Sequence, residues 1–379
     1  MALVCGGVVA LLAAGGPMAA AKSNHRTGDR ETRVVVMGLS SGHARGRVAS
    51  HHGTVVEDLS LVDAVGADVN SDELDALRND PDVVVVPNVV VDVTGVADTA
   101  PRAPAAVFPD TTGASTLVSA GSNGEGVTVA VLDTGITRLP DFAGRIVGGI
   151  DLSGEGNPYK DSYGHGTFVS GLIAGNGASS QGAYVGEAPG ASLASVKVAG
   201  VTGSTDLLTV LRGIQWTVNN RDALNIGVLN ISMGTPPFPS SVVNPLDRAV
   251  EAAWRAGIVV VTAAGNTGPI NGTITSPGDD PMVITAGAID DNGTASATDD
   301  TMTTFSAVGP TAVDGWFKPD LVAAGRSVVS LRAPGSTIDT ENPSARVGTK
   351  QFVGSGTSFS AAITSGAVAI LRQMHPNVG

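Results

Sequence analysis

The sequence predicts an α/β protein: a parallel β-sheet sandwiched by helices, preceded by a small α/β domain. Three observations carry this. Past Gly124, Val- and Ile-rich runs too continuous for one-faced strands alternate with helical patterns, as in a parallel sheet covered on both faces. Ahead of it, residues 32–93 hold strands and a helix of their own. Between the two, residues 94–115 ("TGVADTAPRAPAAVFPDTTGAS") are rich in Pro, Ala and Thr, the composition of a linker.

Taken in order, residues 1–21 are apolar and end in Ala-Ala-Ala before Lys22. They read as a secretory signal with a small-residue cleavage site, although about 20 apolar residues could also span a bilayer. "TRVVVMGL" (32–39) is a strand, "ELDALRNDPDV" (73–83) a short helix stopped by proline, and "VVVVPNVVVDV" (83–93) a strand again. In the larger domain, set at 116–379, "GVTVAVLD", "ASLASVKV", "NIGVLNISM", "IVVVTAAGN" and "MVITAGAI" are strands. "HGTFVSGLIAG", "STDLLTVLRGIQWTVNN" and "SVVNPLDRAVEAAWRAG" are the helices between them, the last ended by Gly257.

The 379 residues can bury a substantial core, and a charged fraction of only 15% suits a packed protein rather than a disordered one. A net charge of −13 excludes a phosphate-backbone binder, which concentrates Lys and Arg. Cys5 is the one cysteine, so no intrachain disulfide forms and the fold rests on packing or bound ions.

In sheets of this kind, reactive groups gather beyond the carboxyl ends of the strands. Strand "VTVAVL" runs into Asp133-Thr134-Gly135, and "IVVVTAA" into Gly265-Asn266. His165 stands between two glycines at a helix start, and Ser358 opens another in "VGSGTSFSAAITSG". Each has a plain reading: a loop carboxylate, a packed histidine, a turn asparagine, a helix N-cap. Together they are the set acyl transfer requires, namely a nucleophile, a base, a group orienting the base and an oxyanion donor.

"VAVLDTGI", "GHGTFVSG", "TAAGNTG" and "GTSFSA" together resemble the subtilisin-like serine proteases, whose order of catalytic residues is also Asp, His, Ser. "GEAPGA", "LNISMG" and "KPDLVAAG" are similar to further segments of that family. The resemblance implies Ser358 as nucleophile, His165 as general base and Asp133 as the group orienting it. Asn266 and the Ser358 N–H would bind the oxyanion. It also implies that Ser232, Met233 and Gly234, with Ala263, Ala264 and Gly265, wall a specificity pocket for apolar or medium-sized side chains.

Residues 32–93 resemble the inhibitory propeptide of such precursors, with maturation between Val91 and Ser115 and the tail "NVVVDV" lying in the substrate groove. The expected product is a secreted monomer acting on polypeptides and needing no cofactor. Calcium is an optional structural ion, with Asp141 as its ligand. Alanines stand at 324 and 362 where the family has prolines, and the chain stops at "RQMHPNVG" where relatives commonly continue. The rival is a non-catalytic binding protein on a protease-like scaffold, which a lost triad member would have favoured.

Overall fold

The computed structural model describes residues 31–98, 106–238 and 243–376; the signal expected at 1–21 and the linker stretch 99–105 lie outside the described residues. The first unit comprises β1 (Thr32–Met37), α1 (Ser41–Ser50), β2 (Thr54–Leu59), β3 (Ala64–Val69), α2 (Ser71–Arg78) and β4 (Val84–Pro87). Its strands form an antiparallel sheet in the order β2-β3-β1-β4. Local signals start its helices. The Ser40 hydroxyl accepts from His43 N at 3.1 Å, and Asn70 with Glu73 forms a reciprocal capping box.

Along β1 the side chains alternate faces. Val34 and Val36 pack with Ala44, Val48 and Leu77 of this unit, whereas Val35 and Met37 join a cluster with Leu207, Leu208 and Leu211 of the larger domain. With both faces buried, β1 reads as unbroken valine rather than as an alternating strand.

Then follow β5 (Val90–Val93), β6 (Val96–Ala97), α3 (Phe108–Thr111), α4 (Ala114–Ser119), β7 (Thr128–Asp133), β8 (Ile146–Asp151), α5 (His165–Ala174), β9 (Ser192–Lys197), β10 (Ser204–Asp206), α6 (Leu207–Asn219), α7 (Arg221–Leu224), β11 (Ile226–Ile231), β12 (Met233–Gly234) and α8 (Pro245–Arg255). The chain continues with β13 (Val259–Ala263), β14 (Ile284–Asp290), β15 (Thr301–Met302), β16 (Leu321–Ala324), β17 (Val328–Leu331), α9 (Thr337–Glu341), β18 (Arg346–Val347), β19 (Gln351–Ser355) and α10 (Thr357–Met374).

The central sheet runs β15-β14-β13-β11-β7-β9-β8, with β16 also on β14. All its pairs are parallel except β14 with the two-residue β15. Buried residues of α5 and α10 fill the core on one face, and those of α6 and α8 the core on the other. This is the sandwich that the alternating pattern predicts.

Three expectations change. The strand expected over 83–93 breaks between β4 and β5, because Pro87 has no N–H for a ladder and the Asn88 side chain instead accepts from Leu208 N at 2.8 Å. The segment expected to be linker carries β6, α3 and the start of α4, with Phe108 only 3% exposed. Its Pro109 begins a helix rather than breaking one, since the first turn needs no N–H there. Strands β8 and β16 were not anticipated, β8 ("IVGGID") because two glycines weaken its strand signal.

Candidate active site

Asp133 ends β7 with no exposed surface, because the strand delivers it to the carboxyl edge of a sheet buried on both faces. Its oxygens lie 2.9 Å from His165 Nδ1, and Thr134 N donates to Oδ1 at 2.7 Å. His165 is the first residue of α5 and 2% exposed. A Cβ at Gly166 would collide with the Gly135 carbonyl, so glycine there lets the histidine helix press against the loop that follows Asp133.

Sequence reasoning missed what fixes this pair. Asp161 Oδ1 accepts from Thr134 Oγ1 at 2.8 Å and Gly164 N at 2.6 Å, while Oδ2 accepts from Thr167 N at 2.7 Å. Thr134 Oγ1 in turn accepts from Gly166 N at 2.9 Å. Asp161 therefore staples the loop after β7 to the first turn of α5. Complete burial raises its carboxyl above the usual range, against the bonds from Gly164, Thr167 and Thr134. The signal available was an Asp four residues ahead of the histidine in "DSYGHG".

Ser358 lies in the first turn of α10 and is fully buried. Its Oγ donates to Ser232 O at 2.9 Å and lies 2.6 Å from Thr94 Oγ1. His165 Nε2 is buried with no hydrogen-bond partner. Asn266 Oδ1 accepts from the N–H and the hydroxyl of Thr357, both at 3.0 Å, which turns its Nδ2 outward to donate to the carbonyl of Thr94.

The chain itself threads this site. Strand β5 lies antiparallel between β10 and β12, with Val93 opposite Met233 and Asp92 opposite both Gly234 and Ser204. Thr94 N donates to Ser232 O at 3.3 Å. Next comes Gly95, where a Cβ would stand 2.8 Å from both His165 Nε2 and Phe359 Cζ. Of the expected pocket residues, Ser232, Met233 and Gly234 thus line the bound segment through their backbones. Gly265 N donates to Thr357 Oγ1 at 3.0 Å beside Asn266. Ala263 and Ala264 stay with the sheet, where Ala264 N bonds Ala286 O at 3.0 Å.

Asp141 is apart from this centre. Its carboxylate accepts from the N–H of Ser179 at 3.1 Å and from the Ser179 hydroxyl. Among the described residues no group of three or more His, Cys, Asp or Glu could hold a metal, and no helix is long and apolar enough to cross a membrane.

A family model described as the subtilase family matches residues 124–379. The chain belongs to the subtilase family. It is 46% identical over 260 residues to serine protease AprX of Bacillus subtilis, a match spanning 67% of this chain and 59% of that protein. It is 30% identical over 369 residues to a thermostable alkaline protease of Halalkalibacterium halodurans, spanning 97% and 87%. A likeness of fold covers most of the chain. Fervidolysin of Fervidobacterium pennivorans, described as a keratinolytic enzyme related to subtilisin, superimposes over 94% of this chain and 56% of its own, with a TM-score of 0.70 at 22% identity.

Proposed function

We propose that the chain is the uncleaved precursor of a secreted serine endopeptidase, and that its first substrate is its own Thr94–Gly95 bond. One observation carries this: the Thr94 carbonyl meets the Asn266 amide while its side chain touches Ser358 Oγ. A peptide held so presents its carbonyl carbon to the nucleophile and its oxygen to the oxyanion donor.

In the reaction, Ser358 Oγ bonds to the Thr94 carbonyl carbon as His165 Nε2 takes its proton. Asp133 holds the Nδ1–H and stabilises the imidazolium. Asn266 Nδ2 holds the oxyanion. His165 then passes the proton to Gly95 N as the C–N bond breaks, leaving an ester between Ser358 and Thr94. Water, deprotonated by His165, hydrolyses the ester, which frees Ser358 and leaves a carboxylate on Thr94. Polypeptides binding as β5 does would react alike.

Residues 31–94 then act as propeptide. Supporting this, β5 fills the groove between β10 and β12, and the first sheet covers α6 and α8. Gln215 of α6 ties the unit down, accepting from Leu61 N and donating to Asp58 O, both at 3.0 Å. The apolar residues 1–21 support export.

The test is paired expression of the wild type and Ser358→Ala, following mass and N-terminal sequence. The reading expects a wild-type product beginning at Gly95 and an uncut variant. Cleavage of both, or of neither without labelling by a fluorophosphonate, overturns it.

A further inference from the structure

Beyond Gly95 the chain is also held. Val96 and Ala97, as β6, lie antiparallel to β19 opposite Ser355 and Gly354. Asp98 N donates to Val353 O at 3.2 Å. The Asp98 side chain then meets two hydroxyls: its Oδ2 accepts from Ser327 Oγ at 3.1 Å and from Ser355 Oγ. Ser355 is 6% exposed, and its Oγ already accepts from Ser327 N at 2.9 Å. That bond leaves its proton for an outside acceptor. Ser327 has a left-handed backbone, with φ of 51°, in the turn between β16 and β17 that aims both its N–H and its hydroxyl at this spot.

The geometry points to a carboxylate-selecting subsite, made by Ser327 and Ser355, for the fourth residue beyond the bond that is cut. Two convergent donors want an acceptor, and an ionised acceptor makes hydrogen bonds about twice as strong as a neutral one. The enzyme therefore reads its substrates on the leaving side as well as through the groove between β10 and β12. Aspartate is preferred there over asparagine, and asparagine over alanine. The inference rests on the Thr94–Gly95 alignment proposed above.

The experiment uses enzyme matured from the full chain and three quenched fluorescent peptides of the 90–99 sequence, carrying Asp, Asn or Ala at the position of Asp98. Each cut is mapped by mass. The expected result is cleavage at Thr-Gly in all three, with kcat/KM falling roughly tenfold from Asp to Ala and Asn between, the size of one hydrogen bond to a charged group. In Ser327→Ala the Asp-to-Ala ratio falls toward one. If that variant yields no enzyme, the conversion rate of Asp98→Ala precursor against wild type replaces it, with slower conversion expected.

Equal rates for the three peptides at the Thr-Gly bond overturn the subsite and leave the alignment standing. A full preference retained in Ser327→Ala overturns the assignment to these serines. Cutting at a different bond overturns the alignment, and the subsite with it.

Discussion

His165 Nε2 has no partner while Ser358 Oγ is engaged by Ser232 O and Thr94 Oγ1, so the proposed nucleophile and base are not hydrogen-bonded to each other. With its one proton on Ser232 O, Ser358 Oγ accepts from the Thr94 hydroxyl, so the serine must turn from both before it can pass a proton to the imidazole. Thr94→Val keeps the shape and removes the threonine's bond. Self-cleavage should then quicken roughly fivefold, the worth of one ordinary hydrogen bond. A time course on gels reads it, and slower or unchanged conversion refutes the competition. At Asn266 the informative change is to Asp, which keeps the acceptor for Thr357 and loses the Nδ2 donor. Turnover on peptides should drop about 10²–10³-fold, as for loss of one oxyanion donor, with the melting temperature held.

The first unit is clipped together by one carboxylate. Asp80, just after α2, accepts from Arg47 of α1 at 2.6 Å, His51 at 2.9 Å and Asp82 N. Burial opposes its ionisation, yet the bonds from Asp82, His51 and Arg47 hold its carboxyl down at about 2. The folded value lies below the unfolded one of 3.8, so the stabilisation is complete above pH 3.8 and is lost as pH falls through about 2. Asp80→Asn should lower the melting temperature of an inactive precursor at pH 7 and shrink its decline between pH 4 and 2. Parallel curves for the two proteins would remove Asp80 from the account. The helix that begins with His165 has a clip of the same kind, since Asp161 ties its first turn to the loop after β7. Every residue of α5 is also buried, so packing adds to that hold on His165.

Across the whole molecule, the first sheet covers apolar residues of α6 and α8 that would otherwise face water. Deleting residues 31–93 should therefore give little folded enzyme, and the separately made unit should restore yield when added. Undiminished folding without it would count against a folding role. Glu187 sets a second global property. It is fully buried against Gly366 of α10, with neither oxygen bonded, and burial pushes its carboxyl up to about 8 despite the nearby Thr112 hydroxyl. The folded protein thus holds a proton that the unfolded chain releases near 4.5, and stability falls as pH climbs from there to about 8. Glu187→Gln should flatten that slope, measured as melting temperature against pH. A variant that tracks the wild type in parallel would show that the carboxyl is not buried as a neutral acid.

The sandwich, and the four residues proposed for its centre, could be picked out from the sequence because their causes are local. Strands buried on both faces are continuously apolar, and the groups presented at these strand ends and helix starts stand beside glycines in the chain. The order of those segments along the chain was enough to suggest the family. What the sequence could not carry is anything set by pairing across distance. By its residues the β5 strand looked like a continuation of β4; a place in the groove was implied only by the family resemblance, and β10 and β12 are the strands that form it. Likewise, the meeting of Thr94 with Asn266 spans 172 positions and that of Asp98 with Ser355 spans 257. Which bond of the segment 91–115 faces Ser358 is a matter of strand register, and register is fixed by hydrogen bonds between partners that the one-dimensional text keeps apart.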